Sequence, residues 1–227
     1  MIGGTVATGW GRLVGRYGRS VAARRRIRIL AESALPDPPT IWVCWHEFNL
    51  VAIAVYPLVR SRAGFAIVPR GIVGATVTGW LEGSEIAPVP VDGDARGGLV
   101  LRRLREALAG GWDVVIAVDG PGGPRRELRP GAVWLAKAAA APVIAFGCAA
   151  APAVRFPRWD RHLIPLPGAR IAVAMSAPLT FGREADAEAN RRLADALDEQ
   201  AARATAGLSL PAPALSGQAV PRPGTDR

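Results

Sequence analysis

The segment Val114–Leu128 constrains this chain most. It opens with Val-Val-Ile-Ala-Val, the β-branched composition of a buried strand. It then breaks into Asp119-Gly120-Pro121-Gly122-Gly123-Pro124, which can continue neither a strand nor a helix. Arg125 and Arg126 follow at once. A strand that ends in a glycine-proline loop with fixed positive charge is a candidate anion site at the carboxyl edge of an α/β sheet. Glycine lets a ligand approach the backbone, and arginine offers a planar fork of donors to phosphate oxygens. A surface turn with solvated arginines is the plainer alternative. The loop is neither a Walker A sequence nor a dinucleotide-binding fingerprint.

The rest of the chain alternates strand-like and helix-like segments. Strands are expected at Thr40–Trp45, Phe65–Val68, Ile86–Val91, Val143–Ala149 and Arg170–Met175. Pro88 and Pro90 put the third of these at an edge. Helices are expected at Phe48–Arg60, Ile72–Leu81, Gly97–Ala109, Pro130–Ala141 and Ala185–Ala204. Arg155–Pro167 reads as irregular and aromatic. The alternation predicts a single α/β domain with a largely parallel central sheet flanked by helices. Residues 1–9 read as loose, and Trp10–Ala34 reads as an N-terminal amphipathic helix that mixes Trp10, Leu13 and Tyr17 with seven arginines. Such a helix suits an anionic membrane interface, or packs on its own domain with a solvated arginine face. The expected organisation is an N-terminal helix and linker over 1–39, the α/β domain over 40–205 and a disordered tail over 206–227.

His46 stands where the first buried strand hands over to a helix, in a sequence with only two histidines. A partly desolvated imidazole at a sheet edge suits a general base; a hydrogen-bonded boundary histidine is the alternative. The net charge of +9 favours polyanionic partners. No nucleic-acid-reading motif accompanies it, so nucleic acid is not expected as a partner. Cys44 and Cys148 sit in apolar settings and read as buried free thiols. No zinc-ligand spacing and no Gly-x-Ser-x-Gly elbow is present, so neither a bound metal nor a serine hydrolase is expected.

Three segments together carry a resemblance: Trp45-His46, the loop from Val118 to Arg126 with Pro130-Gly131, and Trp159-Asp160-Arg161 before Ile164-Pro165. From about Ile41 to Leu179 the chain resembles the lysophospholipid acyltransferase superfamily, in its bacterial branch labelled a domain of unknown function. The resemblance implies acyl transfer from acyl-CoA or acyl-carrier protein, a co-substrate rather than a bound cofactor, to a hydroxyl of a lipid-like acceptor. It implies His46 as the general base, and Asp119, Gly120, Pro121 and Gly122 with Arg125 and Arg126 around an acceptor phosphate or other anion. With the basic helix, it implies a peripheral place on the cytoplasmic face of the inner membrane.

The chain departs from the family pattern at one point of mechanism. The catalytic histidine is normally followed, five positions on, by an aspartate that orients it; Val51 stands there. The branch's acidic segment after the next strand is replaced by Val68–Gly74, which has no carboxylate, and its Arg-Gly-Ser-like segment by Val91-Asp92-Gly93-Asp94. Glu47 is adjacent but is expected to point elsewhere. Asp92 and Asp94 are the candidates for the missing partner. Without one, the chain would be a catalytically impaired lipid- or acyl-binding relative.

Overall fold

The computed structural model describes residues 2–22, 27–91 and 97–210. The expected α/β domain is present as a seven-stranded sheet of order β1-β7-β6-β2-β5-β3-β4. In chain order these strands are β1 (Ile27–Ala31), β2 (Ile41–Cys44), β3 (Gly64–Pro69), β4 (Ile86–Val91), β5 (Asp113–Ala117), β6 (Val143–Arg155) and β7 (Leu163–Met175). Neighbours pair in parallel except β6 and β7, which form an antiparallel hairpin. Proline-rich β4 lies at one edge, as its sequence requires.

The helices are α1 (Ile2–Ala22), α2 (Asn49–Val59), α3 (Gly71–Leu81), α4 (Gly97–Ala109), α5 (Gly131–Ala139) and α6 (Asp186–Ser209). The first three contact one another on one side of the sheet, and the last three form the layer on the other. The central strand β2 is buried along its whole length, and Val114, Val143 and Ile144 beside it are fully buried. Below the sheet, the buried Asp113 carboxylate accepts hydrogen bonds from the Thr40 amide, Trp42 Nε1, Tyr56 Oη, and Arg60 Nε and Nη2 at 2.7–3.1 Å. These bonds tie β2, α2 and β5 together at the end remote from His46.

Three expectations are corrected. The N-terminal helix begins at Ile2 rather than Trp10 and ends by Ala22. Ile27–Ala31 is not helical but an edge strand paired with β7 in register Ile27↔Ile171. Residues 1–39 thus contribute to the central sheet. Helix α1 turns a small-residue face inward: Ala7, Gly11, Gly15, Gly18 and Val21 are buried and Tyr17 packs against the core, while Val6, Trp10 and Leu13 are more than half exposed. Contact with α3 is backbone to backbone. A Cβ on Gly11 would lie 1.9 Å from the Thr76 carbonyl oxygen, and one on Gly79 would lie 2.2 Å from that of Thr8. Such small-residue helix contacts are enriched where helices meet within membranes. Ile72 and Val73 of α3 are also exposed. No helix among the described residues is long and apolar enough to cross a membrane.

Arg155–Pro167 is not irregular throughout. β6 and β7 keep pairing past Phe146, where β2 ends, up to Arg155↔Leu163. A register shift between Ala151 and Ala153 marks a bulge, a device that bends the strand carrying it. The hairpin tip, residues 156–162, overhangs the carboxyl end of β2.

Candidate functional site

β2 and β5 are neighbours, yet the helices after them, α2 and α5, lie on opposite faces of the sheet. The chain therefore leaves their paired carboxyl ends in opposite directions, and such a switch point is where open α/β sheets bind ligands. His46 opens a single 3-10 turn directly after β2, and Asp119-Gly120 follows β5. The two expected halves of the site face each other.

Asp119 is fully buried. Its Oδ1 accepts the His46 amide at 2.7 Å, and its Oδ2 accepts the Arg126 amide at 2.8 Å. With both oxygens occupied by backbone, Asp119 braces the site instead of meeting an anion itself. Gly120 lies against the Cδ2–Nε2 edge of the imidazole. A Cβ there would come within 2.3 Å of His46 Cδ2, so only glycine fits with the ring in place. Gly122 and Gly123 have φ of 89° and 74°, and a Cβ on Gly123 would strike the Trp159 ring at 2.6 Å. Pro121 and Gly122 are exposed at the loop's crest, and Arg129 Nη2 holds the loop through the Pro121 and Gly123 carbonyls.

The hairpin tip brings a carboxylate to His46. Asp160 Oδ2 lies 2.8 Å from His46 Nδ1, across 114 residues of sequence. Burial alone would raise the Asp160 carboxyl, but the His46 hydrogen bond and both histidine rings outweigh it and hold it below the usual range. An ionised carboxylate only accepts, so Nδ1 donates to it, and the tautomer this selects for the neutral ring has its lone pair on Nε2. Trp159 packs beside the ring at 5.0 Å between centroids. His162, also on the tip, approaches the same Asp160 Oδ2 with Nδ1 at 3.3 Å, and Trp80 of α3 meets its ring edge-on. Burial lowers the His162 pKa and keeps that ring neutral. Asp92 and Asp94, the candidates from sequence, lie outside the described residues. Asp160 belonged to a segment of the family resemblance but had no role there; a buried-aspect aspartate two residues before the only other histidine was the available signal.

Glu47 points the other way from His46 and is fully buried. Its Oε1 accepts Arg125 Nη2 at 2.9 Å and Arg126 Nε at 2.6 Å, and its Oε2 accepts Arg125 Nη2 at 2.8 Å and Arg155 Nη1. Arg126 Nη1 also reaches Asp198 Oδ1 at 3.2 Å, the atom that accepts Trp45 Nε1. Arg125 and Arg126 are therefore not free surface cations: both are ion-paired to Glu47, with 30% and 31% of their side chains still exposed. Three guanidiniums meet two carboxylates, so the cluster keeps one positive charge in excess, and Arg125 Nε is buried without a partner. Arg126 has φ of 57°, a left-handed conformation held by the hydrogen bond its backbone N–H donates to Asp119 Oδ2. Cys44 and Cys148 are free and buried, and burial pushes both thiols up, away from nucleophilic use.

No family model matches the chain. An uncharacterized protein of Rickettsia prowazekii (strain Madrid E) is 24% identical over 151 residues, covering 66% of this chain and 68% of that protein.

Proposed function

We propose that the chain is an acyltransferase of the lysophospholipid type, moving a fatty acyl group from acyl-CoA or acyl-carrier protein to a hydroxyl of a lipid-like, phosphorylated acceptor at a membrane surface. The observation that carries this reading is the His46–Asp160 pair at the carboxyl ends of β2 and β5. His46 Nε2 takes the proton of the acceptor hydroxyl as the oxygen attacks the thioester carbonyl. Asp160 stabilises the imidazolium that forms. The tetrahedral intermediate then collapses, the C–S bond breaks, and His46 returns the proton to the departing thiolate. The excess positive charge around Arg125, Arg126 and Arg155 favours an anionic acceptor nearby. Exposed Val6, Trp10, Leu13, Ile72 and Val73 form an apolar ridge suited to the peripheral membrane contact. The alternative, a non-catalytic lipid- or acyl-binding role, is motivated by the lack of an orienting carboxylate in the sequence pattern; the Asp160 contact to His46 favours the acyltransferase reading over it.

The test is thioester turnover. Purified protein is mixed with long-chain acyl-CoA, then acyl-carrier protein thioesters, and a panel of lysophospholipid and lipid-A-like acceptors, and free thiol is followed. Acceptor-dependent release that His46→Ala lacks supports the proposal. Release that is absent with every donor, or unaffected by His46→Ala, rejects it.

A further inference from the structure

Asp160 serves two imidazoles at once. Its Oδ2 is 2.8 Å from His46 Nδ1 and 3.3 Å from His162 Nδ1, and the ligating atoms of the three residues lie within 4.8 Å of one another. Its other oxygen, Oδ1, is buried with no hydrogen-bond partner. That is an uncommon state for a carboxylate oxygen in a residue only 1% exposed. A histidine base needs one orienting carboxylate. The second histidine and the orphaned oxygen go beyond that need.

We infer that His46, Asp160 and His162 form a site for a divalent ion of the zinc class, and that its occupation silences His46. Two imidazole nitrogens and one carboxylate oxygen suit zinc and its transition-metal neighbours, whereas magnesium and calcium favour all-oxygen shells. Ligand bonds of about 2.0–2.2 Å place tetrahedral ligands roughly 3.4 Å apart. The two contacts to Asp160 Oδ2 are already near that spacing. Three protein ligands leave the fourth position to water. The His46 and His162 side chains are 24% and 15% exposed, so a small ion can reach them. The buried thiols of Cys44 and Cys148 do not compete.

The chemistry of silencing is a tautomer exchange. The ion takes the Nδ1 lone pairs, and in each neutral ring the proton moves from Nδ1 to Nε2. No proton is lost, and Asp160 stays ionised. His46 Nε2 then bears a hydrogen and can no longer accept one from a hydroxyl. This consequence rests on His46 acting as the base under the proposed function; the site itself does not.

The chain has two histidines, both in the site, so every ring signal reports on it. Full-length protein freed of metal with EDTA is titrated with zinc chloride and followed by long-range proton–nitrogen NMR correlation. One equivalent should shift Nδ1 of both rings and move both protons to Nε2. His162→Gln should weaken zinc binding at least about 100-fold, since loss of even an outer partner of a ligand costs 10–100-fold. Unchanged rings, or a shift of one ring alone, overturn the site, and this wild-type spectrum decides even if the variant fails to fold. In the thioester assay the same equivalent should abolish thiol release and EDTA restore it. Bound zinc with full release overturns the silencing. If metal-free protein releases no thiol, the proposed function fails, and the ring spectrum still decides the site.

Discussion

Replacing Asp160 by asparagine keeps the shape of the hairpin tip and removes one charge. In the native pair, His46 Nδ1 and Asp160 Oδ2 are 2.8 Å apart and Asp160 is buried, while a quarter of the His46 side chain meets solvent. With charge centres about 4 Å apart and an effective dielectric near 20, the carboxylate stabilises the imidazolium by about 4 kcal/mol. Solvent at His46 reduces this toward about 2 kcal/mol. At 1.36 kcal/mol per decade, kcat should fall roughly 30- to 1000-fold. The amide can also donate to Nδ1, which places the ring proton on Nε2 and removes the base. Acceptor KM should hardly change, because Asp160 touches the ring and not the substrate side of the loop. Steady-state thiol release gives both parameters, and the imidazole nitrogen spectrum gives the tautomer. A loss below about threefold in kcat, a loss confined to KM, or a wild-type His46 protonated at Nε2 would refute the reasoning.

Four other perturbations test separate parts of the structure. Asp113→Ala strips the acceptor from Arg60 and three further donors, the Thr40 amide, Trp42 Nε1 and Tyr56 Oη. Leaving a buried guanidinium unpaired costs about 3–5 kcal/mol, or roughly 6–20 °C in Tm for a chain of this size, so a thermal shift under about 3 °C contradicts it. Gly120→Ala puts a Cβ on the imidazole and should lower kcat on the order of 100-fold while circular dichroism stays native; full turnover would mean that ring placement is not critical. Burial raises Glu47, yet hydrogen bonds from Arg125 and Arg126 and the charges of Arg126 and Arg155 hold its pKa below the ordinary value of 4.5. The unfolded chain therefore binds its proton first as pH falls, so this contribution to stability is complete above that value and is lost as pH drops through the lowered one. Urea midpoints between pH 6 and 3 should fall less steeply for Glu47→Gln than for wild type; equal slopes exclude it. Trp10→Asp removes an exposed apolar anchor worth about 1.5–3 kcal/mol and should weaken binding to anionic vesicles roughly 10- to 100-fold. Unchanged co-sedimentation would remove α1 from the interface.

What was legible in the sequence was whatever depends on local pattern. β-branched runs ended by glycine and proline mark β2 and β5, and His46 and Asp119 fall at their carboxyl ends because those breaks fix where each strand stops. Features set by distant contact were not legible. α1 over residues 2–9 is glycine-rich and reads as loose, but it belongs to a helix whose Gly11 and Gly15, further along, let the backbone settle on α3. Ile27–Ala31 continues an apolar rhythm that fits a helix, and only pairing with β7 makes it a strand. The prolines of Arg155–Pro167 hide a hairpin whose register is set by cross-strand partners. The charge of Arg125 and Arg126 was evident, but their shared acceptor, 78 and 79 residues away, was not.

The dipeptide His46-Glu47 shows why those distant contacts converge. Consecutive side chains leave the turn after β2 in opposite directions, and each gathers one polar cluster. His46 takes Asp160 from the hairpin tip, and Glu47 takes Arg155 from the base of that tip. Glu47 also takes Arg125 and Arg126 from the loop after β5, while the His46 amide holds that loop through Asp119. The hairpin and the glycine loop are thereby fixed to the same two residues, so neither can move without disturbing the imidazole. A site assembled this way orders its imidazole before any ligand arrives, which lowers the cost of reaching a defined geometry. Val51, five positions after His46 on α2, is buried against the core, so the carboxylate that meets the imidazole comes instead from the tip, which Arg155 anchors to Glu47.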